Sequence, residues 1–213
     1  MATLAQRFMT NPVFSAVYEG LWRPAFTRLF SLGGPGTAEF DKALTAYLAR
    51  SGDRTILDVA CGPGLYTRRL AANLTSDGRC VGIDFSGAML AQAVSKPLAR
   101  TSYVRGDAHH LPFRDGAFDT VACFAALYLI PDPLPVVDEL VRVTRPGGEI
   151  AIFTSVTTPV SQLPGVETIG KLAGFHFFGR HEITDRLRAA GVTRMEHTIV
   201  DQGQFVLATK DQS

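Results

Sequence analysis

Apolar and β-branched residues along this chain fall into short runs that alternate with stretches of helical spacing. Residues 55–60 (Thr-Ile-Leu-Asp-Val-Ala) form a run of the kind a strand buried on both faces needs. Residues 78–85, 102–108 and 120–124 repeat it, and 151–154 follow a turn at Arg145-Pro146-Gly147-Gly148. Between the first two runs, Leu65, Leu70 and Leu74 recur at helical spacing over residues 65–74, with Arg68 and Arg69 outward. Residues 134–143 turn Val136, Val137, Leu140 and Val141 to one side, and a capped helix is predicted over 181–190. Residues 194–200 and 204–209, around Gly203, read as a closing antiparallel hairpin. Five βα units and a hairpin predict an α/β fold, an open, doubly wound, mostly parallel seven-stranded sheet with helices on both faces.

The N-terminal stretch has a different pattern. Phe14, Tyr18, Trp22, Phe26 and Phe30 recur every fourth residue and stack on one helical face. Pro24 divides a helix over about 12–22 from a second, and Leu32-Gly33-Gly34-Pro35-Gly36 ends both. Residues 37–49 (Phe40, Leu44, Tyr47, Leu48) are one more amphipathic helix. Residues 1–50 thus read as a helical cover and 51–213 as the main domain, in one globular unit. The stripe packs against the domain, or it forms a lid hinged at the glycines.

Composition narrows the class. A chain of 213 residues, 46% hydrophobic and 19% charged, suits one globular α/β domain. A formal charge of +1 gives no electrostatic reason to expect nucleic acid. The longest apolar run, residues 121–131, is far short of the ~20 residues of a membrane span. Residues 1–7 lack an apolar core with a small-residue cleavage site, and Cys61, Cys80 and Cys123 lack metal or redox spacing. A cytoplasmic protein with buried thiols is expected, with no integral membrane contact. His109-His110 are adjacent, so their side chains diverge, and no metal site is expected.

The chemistry gathers where the first strand meets the first helix. Asp58-x-Ala60-x-Gly62-x-Gly64 leads into a helix whose first N–H groups are unpaired, a place for a ligand to approach the backbone. Thr67 stands where a dinucleotide fingerprint would have its third glycine. Asp84, at the end of the second strand, can accept hydrogen bonds from both ribose hydroxyls of an adenosine cofactor.

These residues resemble the first motif of class I S-adenosylmethionine-dependent methyltransferases, commonly D/E-x-G-x-G-x-G, with Ala60 in place of the first glycine. A tighter loop is expected from that methyl group. Leu111-Pro112-Phe113 followed by Phe118-Asp119 is characteristic of the ubiquinone/menaquinone-biosynthesis-like branch, methyltransferase type 11, and Arg145-Pro146-Gly147-Gly148 is its usual turn. The resemblance is strong over about 55–150 and architectural elsewhere.

It implies a Rossmann-like methyltransferase fold, S-adenosylmethionine as methyl donor and S-adenosylhomocysteine as product. Cofactor-binding candidates are Asp58, Ala60, Gly62, Gly64, Asp84, Phe85 and Met89 (flanking adenine), Asp107 and Ala108 (at the adenine edge), and Phe124. Relatives commonly have serine at the position of Phe124 and histidine at that of Tyr128. Substrate-side candidates are Tyr18, Trp22, Tyr128 and His176. The acceptor is expected to be a small, fairly apolar or aromatic molecule: a quinone, phenol, lipid or secondary metabolite. No catalytic residue is assigned, although Tyr128, His176 or His181 could act as base toward a hydroxyl. Oligomeric state is left open. The alternatives are a cofactor-binding member that regulates a partner without catalysis, and an NAD(P)-dependent oxidoreductase.

Overall fold

The computed structural model describes residue 44, residues 46–159 and residues 174–212. The aromatic stripe of residues 11–32, with Tyr18 and Trp22, lies outside them, as does the division at residue 50 so far as it concerns the cover.

Seven strands form one sheet in the order β3-β2-β1-β4-β5-β7-β6. The central strands are β1 (Thr55–Val59), β2 (Arg79–Asp84), β3 (Thr101–Arg105), β4 (Phe118–Phe124) and β5 (Thr144–Ser155), all parallel to their neighbours in this group. The hairpin β6 (Arg194–Val200) and β7 (Gly203–Thr209) adds to β5 antiparallel. Among the described residues, helices α1 (Leu65–Ala71), α2 (Gly87–Val94), α3 (Leu134–Val143) and α4 (Glu182–Ala189) accompany the sheet. The open seven-stranded sheet is as the hydrophobic pattern predicts.

Period-two alternation sends neighbouring residues to two separate cores. Leu57, Val59, Val121, Cys123, Ile150 and Ile152 join α3 and α4 on one face. Ile56, Ala122, Phe124 and Ala151 join Tyr66 and Leu70 of α1, with Leu44, Tyr47 and Leu48, on the other. Among the described residues no helix is long and apolar enough to cross a membrane.

Three details differ from the expectation. Helix α1 stops at Ala71, and Leu74 instead bridges to Gly52 with its side chain buried. The Arg145–Gly148 turn lies inside β5 as an irregularity in its pairing with β4, not before it. Gly148 is required there, since a Cβ would lie 2.8 Å from the Arg145 carbonyl oxygen and 3.0 Å from that of Asp119.

The third detail is that β3 runs to β4 without a helix, so one of the five βα units is incomplete. The intervening Leu111-Pro112-Phe113 loop is held by α3. Glu139 Oε2 accepts from the Leu111 N–H at 2.7 Å, and Arg142 donates to the carbonyls of Leu111 (2.9 Å) and Phe113 (2.8 Å). Arg142 also pairs with Glu139 and Asp115. Two side chains thus replace the backbone pairing a helix would have supplied.

Candidate functional site

The carboxyl ends of β1, β2, β3 and β4 open onto one cavity of about 330 Å³. In an open parallel sheet, this is where loops diverge and a ligand can enter. The loop after β1 forms its base. Ala60, Gly62 and Gly64 all have positive φ, at 55°, 54° and 77°. Gly64 caps α1 in the left-handed region, and a Cβ there would meet the Tyr103 hydroxyl at 2.5 Å. Ala60 adopts the glycine conformation without being glycine. The methyl group is carried there as backbone strain.

Asp84 organises this loop. Its Oδ2 accepts from the Gly62 N–H and its Oδ1 from the Ser86 N–H, each at 2.8 Å. Burial raises its pKa, and those two N–H groups oppose the shift. Each oxygen retains one lone pair, and the carboxylate lines the cavity. Ile83, Phe85 and Met89 lie beside it, with Phe85 39% exposed and Met89 buried. Ser86 caps α2 by accepting from the Met89 N–H, which fixes that wall.

Across the cavity, Asp107 and Ala108 leave the end of β3. The backbone N–H of His109 holds the Asp107 carboxyl below its ordinary range, outweighing slight burial, and the His109 ring adds to the effect. Phe124 forms the wall at the end of β4, in edge contact with Tyr66 (centroids 5.3 Å) and Tyr47 (5.9 Å). Leu129, Ile130 and Pro131 line a further side.

Of the cofactor-side residues named from the sequence, Ala60, Gly62, Asp84, Phe85, Met89, Asp107, Ala108 and Phe124 meet at this cavity. Asp58 and Gly64 stand behind its walls. Asp58 is 1% exposed and accepts from the Thr67 hydroxyl; burial pushes its pKa up to about 7, and the Asp84 charge adds to that.

Tyr128 and His176 are not among the residues lining this cavity. Tyr128 is buried and stacks on Phe175, and its carbonyl accepts from the His176 N–H at 2.8 Å. His176 turns its ring to Glu182 at 3.0 Å and packs on Phe178. The backbone of this segment returns onto the turn after β4, which ties both side chains into the fold. His181, the other candidate base, lies beside His197 in the hairpin, also away from the cavity.

Tyr66, His109 and the Leu129–Pro131 wall were not singled out as ligand-side residues. An apolar run at the end of β4 was the available signal for the last. His109 carried none, because the carbonyls of Pro131 and Asp132 that its ring meets lie beyond the next strand.

Among the described residues, the walls contain carboxylates at Asp84 and Asp107 and no lysine or arginine. A dinucleotide pyrophosphate would face those carboxylates with no lysine or arginine among the described lining residues. A cationic ligand with an adenosine part finds acceptors for its hydroxyls and amino groups and an apolar slot for its ring. Among the described residues no three His, Cys, Asp or Glu side chains are grouped to hold a metal ion.

Comparison with known proteins agrees with that chemistry. Residues 57–152 match a family model described as a methyltransferase domain. An uncharacterized chloroplastic methyltransferase of Arabidopsis thaliana is 31% identical over 211 residues, covering 93% of this chain and 58% of the relative. A demethylmenaquinone methyltransferase of Lactiplantibacillus plantarum is 33% identical over 156 residues, covering 69% and 63% respectively. The chain therefore spans between 58% and 63% of the length of these two relatives. Among solved structures, phosphoethanolamine N-methyltransferase 2 of Haemonchus contortus, in complex with S-adenosyl-L-methionine, superposes with a TM-score of 0.73. It is 16% identical, with 95% of this chain and 58% of the other covered, a likeness of fold alone.

Proposed function

We propose, from the match of residues 57–152 to a methyltransferase-domain family, that the chain transfers a methyl group from S-adenosylmethionine to a small apolar or aromatic acceptor. The observation that carries this reading is the pairing of Asp84 with an apolar slot in a cavity that, among the described residues, is lined by no lysine or arginine. Asp84 is the acceptor for the ribose hydroxyls, using the lone pairs left by Gly62 and Ser86. Phe85 and Met89 flank the adenine, and Asp107 faces its amino group. The cofactor supplies an electrophilic methyl group on a sulfonium.

The part left to this chain is placement. Holding donor and acceptor close, aligned and away from water accounts for most of what such a displacement needs. No general base is assigned, in keeping with the positions of Tyr128, His176 and His181 away from the cavity. Phe124 with Tyr66 gives the β4 end of the cavity an aromatic wall, which favours a flat, apolar acceptor. Because relatives include proteins named demethylmenaquinone methyltransferase, a quinol ring is the acceptor class we favour. The compartment we favour is the cytoplasm, with residues 1–50 acting as a cover over the domain.

The test is methyl transfer from labelled S-adenosylmethionine to a panel of quinols, phenols and lipids, with calorimetry for S-adenosylhomocysteine and NADH. Transfer to a quinol or phenol is expected. Binding of S-adenosylhomocysteine without transfer to any acceptor would leave a cofactor-binding regulator. NADH binding without S-adenosylhomocysteine binding would overturn the cofactor assignment itself.

A further inference from the structure

His109 sits between two walls of the cavity, and among the described residues its ring meets three oxygen acceptors. Its Nδ1 lies 3.0 Å from Asp107 Oδ1. Its Nε2 lies 2.9 Å from the Pro131 carbonyl oxygen and 3.1 Å from that of Asp132. The backbone N–H of His109 also donates to Asp107 Oδ1 at 3.0 Å. One residue therefore takes up Oδ1 twice and leaves Oδ2 for a ligand. The Pro131–Asp132 segment it grips is itself under strain, with Asp132 at φ 46°.

A neutral imidazole has one N–H, so it can donate to only one of these two sides and turns a lone pair toward oxygen on the other. The imidazolium alone donates to both. We propose that His109 is a positioning residue, a clamp whose imidazolium form ties the Asp107 wall to the Pro131–Asp132 wall and so orders the adenine end of the cavity. The inference rests on the reading of that cavity as an adenosine-cofactor site.

The surrounding charges favour the clamped form. Burial lowers the His109 pKa, but hydrogen bonds to Asp107 and to the Asp132 and Pro131 carbonyls outweigh it and leave it raised. Asp107 is the carboxylate facing it, and the adjacent His110 acts on that carboxylate. Across the gap, the Asp132 side chain lies in the field of Arg186. As pH rises, the clamp loses one side and the two walls come apart at their rim.

The probe is 5′-methylthioadenosine, which carries the adenosine without the titrating amino-acid end. Its affinity is measured by calorimetry from pH 6 to 8.5 in the wild type and in His109→Gln. Wild-type affinity is expected to fall roughly five- to tenfold with rising pH, and the variant to lie near the weak end throughout. The difference between the two curves removes the contributions of Asp58 and Asp84, which both proteins share. Parallel curves would overturn the clamp while leaving the cofactor reading intact. Failure of the wild type to bind any adenosine ligand at any pH would overturn both. A second readout needs no variant. The His109 ring resonance, assigned through its backbone, is expected to titrate at higher pH in the presence of the probe than without it. An unchanged midpoint at saturation would equally overturn the proposal.

Discussion

The Thr67 hydroxyl donates to Asp58 Oδ2 at 2.6 Å inside the sheet–helix junction, with both side chains almost wholly buried. This pair connects β1 to α1 beneath the ligand loop. The threonine that takes the third-glycine position of a dinucleotide motif thus has a structural task of its own.

Asp58 has consequences for stability with pH. Its pKa is near 7 in the folded chain against 3.8 ordinarily, chiefly through burial. A folded state that holds its proton longer is favoured at low pH. The contribution is fully present below about pH 4 and is lost as pH rises through about 7. Asp58→Asn stays neutral and still accepts from Thr67. Its stability relative to wild type should therefore improve between pH 4.5 and 8, by on the order of 2–4 kcal/mol. Urea unfolding at the two pH values measures the change, and a constant difference would show that Asp58 ionises freely.

Ala60 carries a left-handed φ of 55° that glycine adopts without strain. Ala60→Gly should raise stability by about 0.5–1 kcal/mol, because relief of strain exceeds the added freedom of the unfolded chain. Thermal unfolding should show the rise, and a lower melting temperature would mean that the methyl group makes compensating contacts.

Removing Asp84 should affect binding and folding together. Asp84→Ala leaves the Gly62 and Ser86 N–H groups without their acceptor and removes the proposed partner of the ribose. S-adenosylhomocysteine affinity should weaken by ~2–4 kcal/mol, read by calorimetry on protein whose circular dichroism confirms folding. An unchanged dissociation constant would place the ribose elsewhere.

Arg142 offers a test remote from the cavity walls. It donates to two loop carbonyls and pairs with Glu139 and Asp115. Arg142→Ala should cost roughly 1.5–3 kcal/mol, since the loop loses charge-assisted hydrogen bonds. Urea unfolding would give the cost, and hydrogen exchange should speed selectively at residues 106–117. Uniform acceleration across the sheet would instead indicate a global effect.

The strands were legible because short, continuous β-branched and apolar runs bounded by turn residues have few other uses in a chain of this composition. Their ends were less so. The third run was read to Ala108, yet β3 stops at Arg105, because Gly106 and Asp107 leave the sheet toward the cavity. The Leu111-Pro112-Phe113 motif was recognisable, but its physical reason is tertiary and comes from Glu139 and Arg142 on a later helix. Asp84 and the glycine loop could be found because both follow directly on strands. Tyr128 and His176 could not be oriented from sequence, since polarity alone does not say whether a ring faces a cavity or a neighbouring loop.

The division of the sheet into two cores makes β1 a partition. Ile56 and Leu57 are joined by a peptide bond and both fully buried, yet they belong to opposite layers. Adjacency in the chain is therefore a poor guide to energetic coupling in this molecule. A double-mutant cycle on Ile56→Ala and Leu57→Ala should show near-additive losses. Substitutions at Leu57 and Val206, far apart in sequence but within one layer, have a shared packing environment through which to interact.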